Sequence, residues 1–207
     1  MKTLLEILYE WPKAYISGTD FCCLLDSTSD SRYSKIKRAV REGYLIPIKR
    51  DLYLIKTTKQ AFDAFEIALI IYGPSYISFE SSLNYYGWIP EAVRTITCAS
   101  VKRTAEFDTP IGVFSYEHIP MSAFSFGVNQ VTQKNGQTLF IAKPFKAIAD
   151  LIYARKRNWL STNDLCEDLR IDQEKFQKEE KNLMQDLIQN YPSQRVKKTL
   201  FNLLNSL

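Results

Sequence analysis

A chain of 207 residues with 45% hydrophobic and 13% aromatic residues and only seven glycines has the apolar content of a packed protein, which excludes a disordered or low-complexity chain. Its net charge of +4 says little by itself, but residues 1–56 carry ten bases against seven acids, and the bases crowd into 32–50, an electrostatic footprint for an anionic partner. No apolar run approaches the roughly 20 residues of a membrane helix, and Glu6 and Glu10 break up MKTLLEILYEWPK as a secretory leader.

In chain order, Leu4, Leu5, Leu8 and Trp11 fall near one face of a first helix that Pro12 stops. Tyr15-Ile16 is short and extended. Ser17 with Asp20 three residues later starts a second, apolar helix over about 19–26. The polar STSDS (27–31) is a turn in which Asp30 caps a third helix running to Glu42, with Gly43 as the residue after it. The period then drops to two over Tyr44–Ile48 and Leu52–Ile55, which predicts a β-hairpin. A polar joint, Lys56–Lys59, closes this unit.

A buried helix follows over 60–72, ended by Gly73-Pro74, and then a capped short helix from Ser78. Strands are expected at 94–101, 111–117, 124–131 and 137–142, the last two joined at Asn135-Gly136. Pro144 sits at the first position of a helix through Lys156, and helices over 162–170, 173–190 and 193–205 complete the chain. The expected class is therefore α+β. An N-terminal winged helix-turn-helix (1–58) precedes a domain of helices and antiparallel sheet (59–207) whose C-terminal part, from about 158, is helical.

The third helix carries the chemistry. On a helical wheel Tyr33, Ile36, Ala39 and Val40 share one side, while Ser34, Lys37, Arg38 and Arg41 share the other, with Lys35 at its edge and Arg32 at its start. In a helix-turn-helix such a helix enters the major groove. Ser34, Lys35 and Arg38 are then the base-facing candidates, Lys37 and Arg41 face phosphates, and Lys49-Arg50 at the hairpin tip reach the flanking backbone or minor groove. Glu42 is the one acid between Arg32 and Arg50. The competing reading is an ordinary solvated face, which the order helix, helix, basic helix, basic-tipped hairpin argues against. Six cations (Lys35, Lys37, Arg38, Arg41, Lys49, Arg50) match about six phosphates, and binding by a dimer or at paired sites is expected.

Other chemistries lack their residues. His118 is the one histidine, the four cysteines (Cys22, Cys23, Cys98, Cys166) have no metal-site spacing, and no phosphate-cradling glycine loop occurs. No cofactor and no metal are expected, and the thiols read as reduced, mostly buried and cytoplasmic. Ser34-Lys35-Ile36-Lys37 fits S-x-x-K without its companion motifs, and Glu179-Glu180-Lys181 fits E-x-K inside a charged helix.

Several segments together resemble one family: IKRDLYLI ending the hairpin, AFEIALIIYG, YISFESSLNYYGWIPE, RTITCAS and IAKPFKAIADLIY. In this order they are similar to the AbiEi antitoxins, the regulator halves of AbiE-type (type IV) toxin–antitoxin systems. The family's Arg-Gly-aliphatic-Tyr wing end is Arg50-Asp51-Leu52-Tyr53 here, with Asp supplying tolerance of positive φ. Its Ser-x-Glu-Ser-Ala segment is Ser78-Phe79-Glu80-Ser81-Ser82, and its A-x-P-x-x-A-x-x-D element runs intact from Ala142 to Asp150. The resemblance covers about residues 1–157. It implies a non-enzymatic autorepressor that binds double-stranded operator DNA and counters a nucleotidyltransferase-like toxin, by contact or otherwise. Asp150 and Glu80 read as structural rather than catalytic. The alternatives are an orphan winged-helix regulator with a protein-binding C-terminal domain, and an enzyme acting on nucleic acid.

Overall fold

The computed structural model describes residues 3–24, 29–56, 62–90, 94–133, 136–178 and 181–206. The chain divides into two compact units, the first Met1–Ile67 with Asp108–Ile111, the second Ala68–Phe107 with Gly112–Leu207. The architecture is mixed α+β throughout. Among the described residues no helix is long and apolar enough to cross a membrane. The expected joint at Lys56–Lys59 lies largely outside the described residues, as do Asn135 and the Glu179-Glu180 pair. Of the turn expected at 27–31, Ser27 and Thr28 also lie outside them, whereas Ser29, Asp30 and Ser31 already belong to the third helix, so Asp30 lies inside that helix and not before it.

In the first unit α1 (Leu4–Glu10) starts at a reciprocal cap, with the Glu6 N–H donating to Thr3 Oγ1 at 3.3 Å and the Thr3 N–H to Glu6 Oε2 at 2.7 Å. Beyond it the Trp11 indole N–H donates to the Tyr15 carbonyl at 2.8 Å and fixes the entry to β1 (Tyr15–Ser17). The helix α2 (Gly18–Leu24) begins where the sequence places it: Asp20 Oδ2 accepts from the Ser17 N–H at 2.7 Å, and the Asp20 N–H donates to Ser17 Oγ at 3.1 Å. Next come α3 (Ser29–Arg41), β2 (Leu45–Lys49) and β3 (Leu52–Ile55). The strands form an antiparallel sheet in the order β1-β3-β2, with Tyr15 opposite Leu54 and Leu45 opposite Ile55. Leu8, Phe21, Ile36 and Ala39 from the three helices meet Ile16, Leu45 and Ile55 of the sheet in one apolar core.

The second unit is built on a six-stranded sheet, flanked in chain order by the helix α4 (Ala64–Ile71), at whose Ile67–Ala68 step the two units divide. The sheet's strands are β4 (Ser75–Ile77), β5 (Thr95–Ser100), β6 (Ala105–Thr109, whose last two residues are grouped with the first unit), β7 (Gly112–His118), β8 (Val128–Thr132) and β9 (Thr138–Ala142), in the order β6-β7-β5-β4-β9-β8. The sheet is mixed, which corrects the antiparallel expectation: β4–β9 and β5–β7 are parallel, β4–β5 and β8–β9 antiparallel. The reason is two strands that the sequence hides. β4 is three residues long and β6 (AEFDT) is polar, so neither shows an apolar run, and each strand overlooked changes which neighbours its sheet partners find. The strand expected over 124–131 divides into a short helix α6 (Met121–Phe124) and β8.

The helices α5 (Phe79–Tyr85), α7 (Pro144–Ala154), α8 (Thr162–Leu169), α9 (Gln173–Lys178), α10 (Lys181–Asn190) and α11 (Gln194–Asn205) complete the unit. Pro144 occupies the start of α7 as its fixed φ allows. Phe145, Ile148 and Ile152 of α7 pack with Phe176, Leu187, Leu200 and Leu203, while Trp88, Phe145 and Phe176 stack edge and tilted at centroid distances of 4.9–5.7 Å.

Candidate nucleic-acid interface

The burial of α3 divides its surface. Ile36 and Ala39 are buried and Val40 is half-buried against the core, whereas Ser34, Lys37, Arg38 and Arg41 are exposed and Lys35 is half-buried at their edge. Arg32 lies in the first turns of the helix. One helical face therefore carries three exposed cations. Glu42 qualifies that charge: its Oε1 accepts from Arg38 Nε at 2.7 Å, and this bond raises the Arg38 pKa above its ordinary value. Lys49 and Arg50 are exposed at the β2–β3 turn. The site candidates of the sequence thus fall on two elements of one unit, the outward face of α3 and the tip of the hairpin.

Three details of this unit bear on the sequence pattern. Tyr33, grouped by periodicity with the inward residues, is 68% exposed. It borders a cavity of about 250 Å3 with Cys22 and Tyr53. The turn keeps the conformation that glycine would have allowed, with Asp51 at φ 58°. Gly18 locks this turn to α2: its N–H donates to the Asp51 carbonyl at 2.9 Å, and a Cβ at position 18 would stand 3.0 Å from Asp51 Oδ1. Finally, Cys22 and Cys23 are exposed, which corrects their expected burial. In α2 it is Phe21 that turns to the core.

The charged residues of the second unit are used differently. Lys146 and Asp150, one turn apart on α7, are both completely buried and joined by a hydrogen-bonded ion pair. Tyr76 and Ser78 hydroxyls donate to Asp150 Oδ2 at 2.8 Å each, and the Tyr191 hydroxyl donates to Oδ1 at 3.2 Å. Burial pulls the Lys146 pKa down, against the pull of Asp150, while burial and the carboxylate together push the Tyr76 and Tyr191 hydroxyls up. The ammonium also lies over the rings of Tyr76 and Tyr191, 5.4 and 5.1 Å from their centroids. With every lone pair region engaged and no path to solvent, Asp150 is a packing hub that ties β4, α7 and the end of α10 together.

Glu80 is held by Arg155, whose Nε also donates to Glu117 Oε1 at 2.7 Å. His118 ends β7 exposed, with Nδ1 3.2 Å from the Lys102 carbonyl, so that nitrogen carries the proton. Among the described residues no group of three or more His, Cys, Asp or Glu is arranged to hold a metal ion. The Ser78–Ser82 and Ala142–Asp150 segments meet at this hub through Ser78 and Asp150, and again where the Ser82 hydroxyl donates to the Ala142 carbonyl at 2.5 Å.

Compared with known proteins, the chain matches no family model, and no curated protein matches it either.

Proposed function

We propose that this protein is a DNA-binding transcriptional autorepressor, that its first unit works as a winged helix-turn-helix, and that its second unit acts as an antitoxin against a nucleotidyltransferase-like toxin. The observation that carries the DNA reading is α3, a helix docked by Ile36 and Ala39 whose opposite face exposes Ser34, Lys37, Arg38 and Arg41, followed by a hairpin with Lys49 and Arg50 at its tip. A helix held on its apolar side by two others presents the other side to a groove about 12 Å wide, and a hairpin beside it reaches the adjoining backbone. Phosphates set most of the affinity, and Ser34 with Arg38 reads base edges. The antitoxin role rests on the resemblance of 1–157 to the AbiEi pattern alone.

The test is binding to DNA from upstream of the protein's own gene, titrated against salt beside scrambled DNA. Six cations at the interface give a log–log slope of about −5 per protomer. The Lys37→Glu, Arg38→Glu, Arg41→Glu variant is expected to lose the sequence-selective complex. A slope near zero, or equal binding by that variant, overturns the reading. Growth rescue by co-expression with an adjacent nucleotidyltransferase-like toxin tests the second half.

A further inference from the structure

Residues at the end of β7, just after α7 and at the start of α11 line a cleft of about 350 Å3, within the range of small-molecule sites. Among them are Thr104, Glu117, His118, Lys156, Ser193 and Arg195, all of the second unit.

Charge describes the occupant. Lys156 and Arg195 are exposed, and among the described residues neither is in an ion pair. Glu117 is the acid of the lining, and its carboxylate is already engaged: Oε1 accepts from Arg155 Nε at 2.7 Å. Arg155 also holds Glu80, which does not line the cleft. Two like charges brought to one cleft repel each other, and an anion seated there turns that repulsion into attraction. Donors are at hand for its oxygens. Ser193, the residue before α11, makes no capping bond with its hydroxyl, and Thr104 and Tyr153 bring two more hydroxyls to the lining.

We infer that this cleft is a binding site for a small molecule that carries a phosphate group. A phosphomonoester is mostly a dianion at neutral pH, so it balances both Lys156 and Arg195, where a carboxylate balances one. Arg195 offers a planar fork to two phosphate oxygens, Lys156 a point charge, and the hydroxyls take the remaining lone pairs. The volume admits one molecule of the size of an aryl or sugar phosphate. The inference rests on the second unit alone and stands whether or not the first unit binds DNA.

The test uses the full-length protein at low ionic strength with three probes of similar shape: phenyl phosphate (dianion), benzoate (monoanion) and benzyl alcohol (uncharged). Binding is followed by saturable amide shifts in two-dimensional NMR, expected at 104, 117–118, 153–156 and 193–195. Phenyl phosphate is expected to bind about tenfold tighter than benzoate, the effect of one further charge-assisted hydrogen bond, and benzyl alcohol not at all. Lys156→Gly removes one cation at a position whose φ of 56° suits glycine. It and Arg195→Gln should each weaken phenyl phosphate about tenfold, and either variant suffices should the other lose its fold. Absence of saturable shifts with phenyl phosphate overturns the inference, as does benzoate binding as tightly, or affinity unchanged in the variants. Displacement of phenyl phosphate by a scrambled DNA duplex also overturns it, in favour of a nucleic-acid surface.

Discussion

Replacing Asp150 by Asn changes almost no volume and removes one charge from the centre of the second unit. The side chains of Lys146 and Asp150 are both fully buried, so the substitution leaves an ammonium group without its counter-ion in a site that water does not reach. Removing one member of a buried pair costs about 3–5 kcal/mol. For a chain of this size that lowers the unfolding midpoint by about 6–20 °C. The amide oxygen replaces only one carboxylate oxygen: at the Oδ2 position it still accepts from Tyr76 and Ser78, while the NH2 at the Oδ1 position faces the Tyr191 hydroxyl as a donor and adds to the loss from the unpaired charge. Lys146→Met added to Asp150→Asn removes the stranded ammonium and should restore at least half of the loss, a coupling of about 2 kcal/mol. The assay is urea unfolding followed by tryptophan fluorescence in a Trp11→Phe background, which leaves Trp88 and Trp159 of the second unit as reporters. A cost below about 1 kcal/mol for Asp150→Asn, or a double variant no more stable than the single one, would refute an ionised pair at this hub.

Three further outcomes are expected. Glu42→Gln frees Arg38 from its 2.7 Å partner, so affinity for operator DNA relative to scrambled DNA should rise, read by fluorescence anisotropy; unchanged selectivity means that Arg38 does not reach a base edge. Gly18→Ala places a Cβ 3.0 Å from Asp51 Oδ1. Since the exposed carboxylate can swing aside, the cost should be about 1 kcal/mol, the low end for added atoms, with amide shifts concentrated at 49–52 and DNA binding weakened; shifts confined to α2 would show that the turn does not depend on this contact. Burial holds the Tyr76, Tyr116 and Tyr191 hydroxyls above their ordinary pKa, so these groups stay protonated in the fold while unfolded tyrosines ionise near pH 10. Their stabilisation is complete below pH 10 and declines above it by about 1.4 kcal/mol per pH unit for each, and absorbance at 295 nm should show three of the 12 tyrosines ionising only on alkaline unfolding.

The elements with a strong period were legible in the residues themselves. The third helix and the hairpin after it follow from a change of period from 3.6 to two at Gly43, and α2 and α7 follow from Ser17 with Asp20 and from Pro144, local signals that tertiary contacts do not override. The outward cations of α3 were legible for the same reason, since a helix with one apolar side must turn the other side away from the core. Strands β4 and β6 were not, being too short or too polar to differ from loop, and with them went the parallel pairs of the sheet.

What the amino-acid order determined by itself is local: where helices begin, which faces are apolar, and where positive charge gathers. The tertiary structure decided what those faces meet. Tyr33 shares a period with Ile36 yet stays exposed, because burial depends on whether a neighbouring element reaches that turn. Lys146 and Asp150 can be paired from their spacing, but only the folded chain brings the hydroxyls of Tyr76, Ser78 and Tyr191 to the same carboxylate from 74, 72 and 41 residues away. Such convergence depends on packing geometry between distant segments, to which no local pattern of residue types is sensitive.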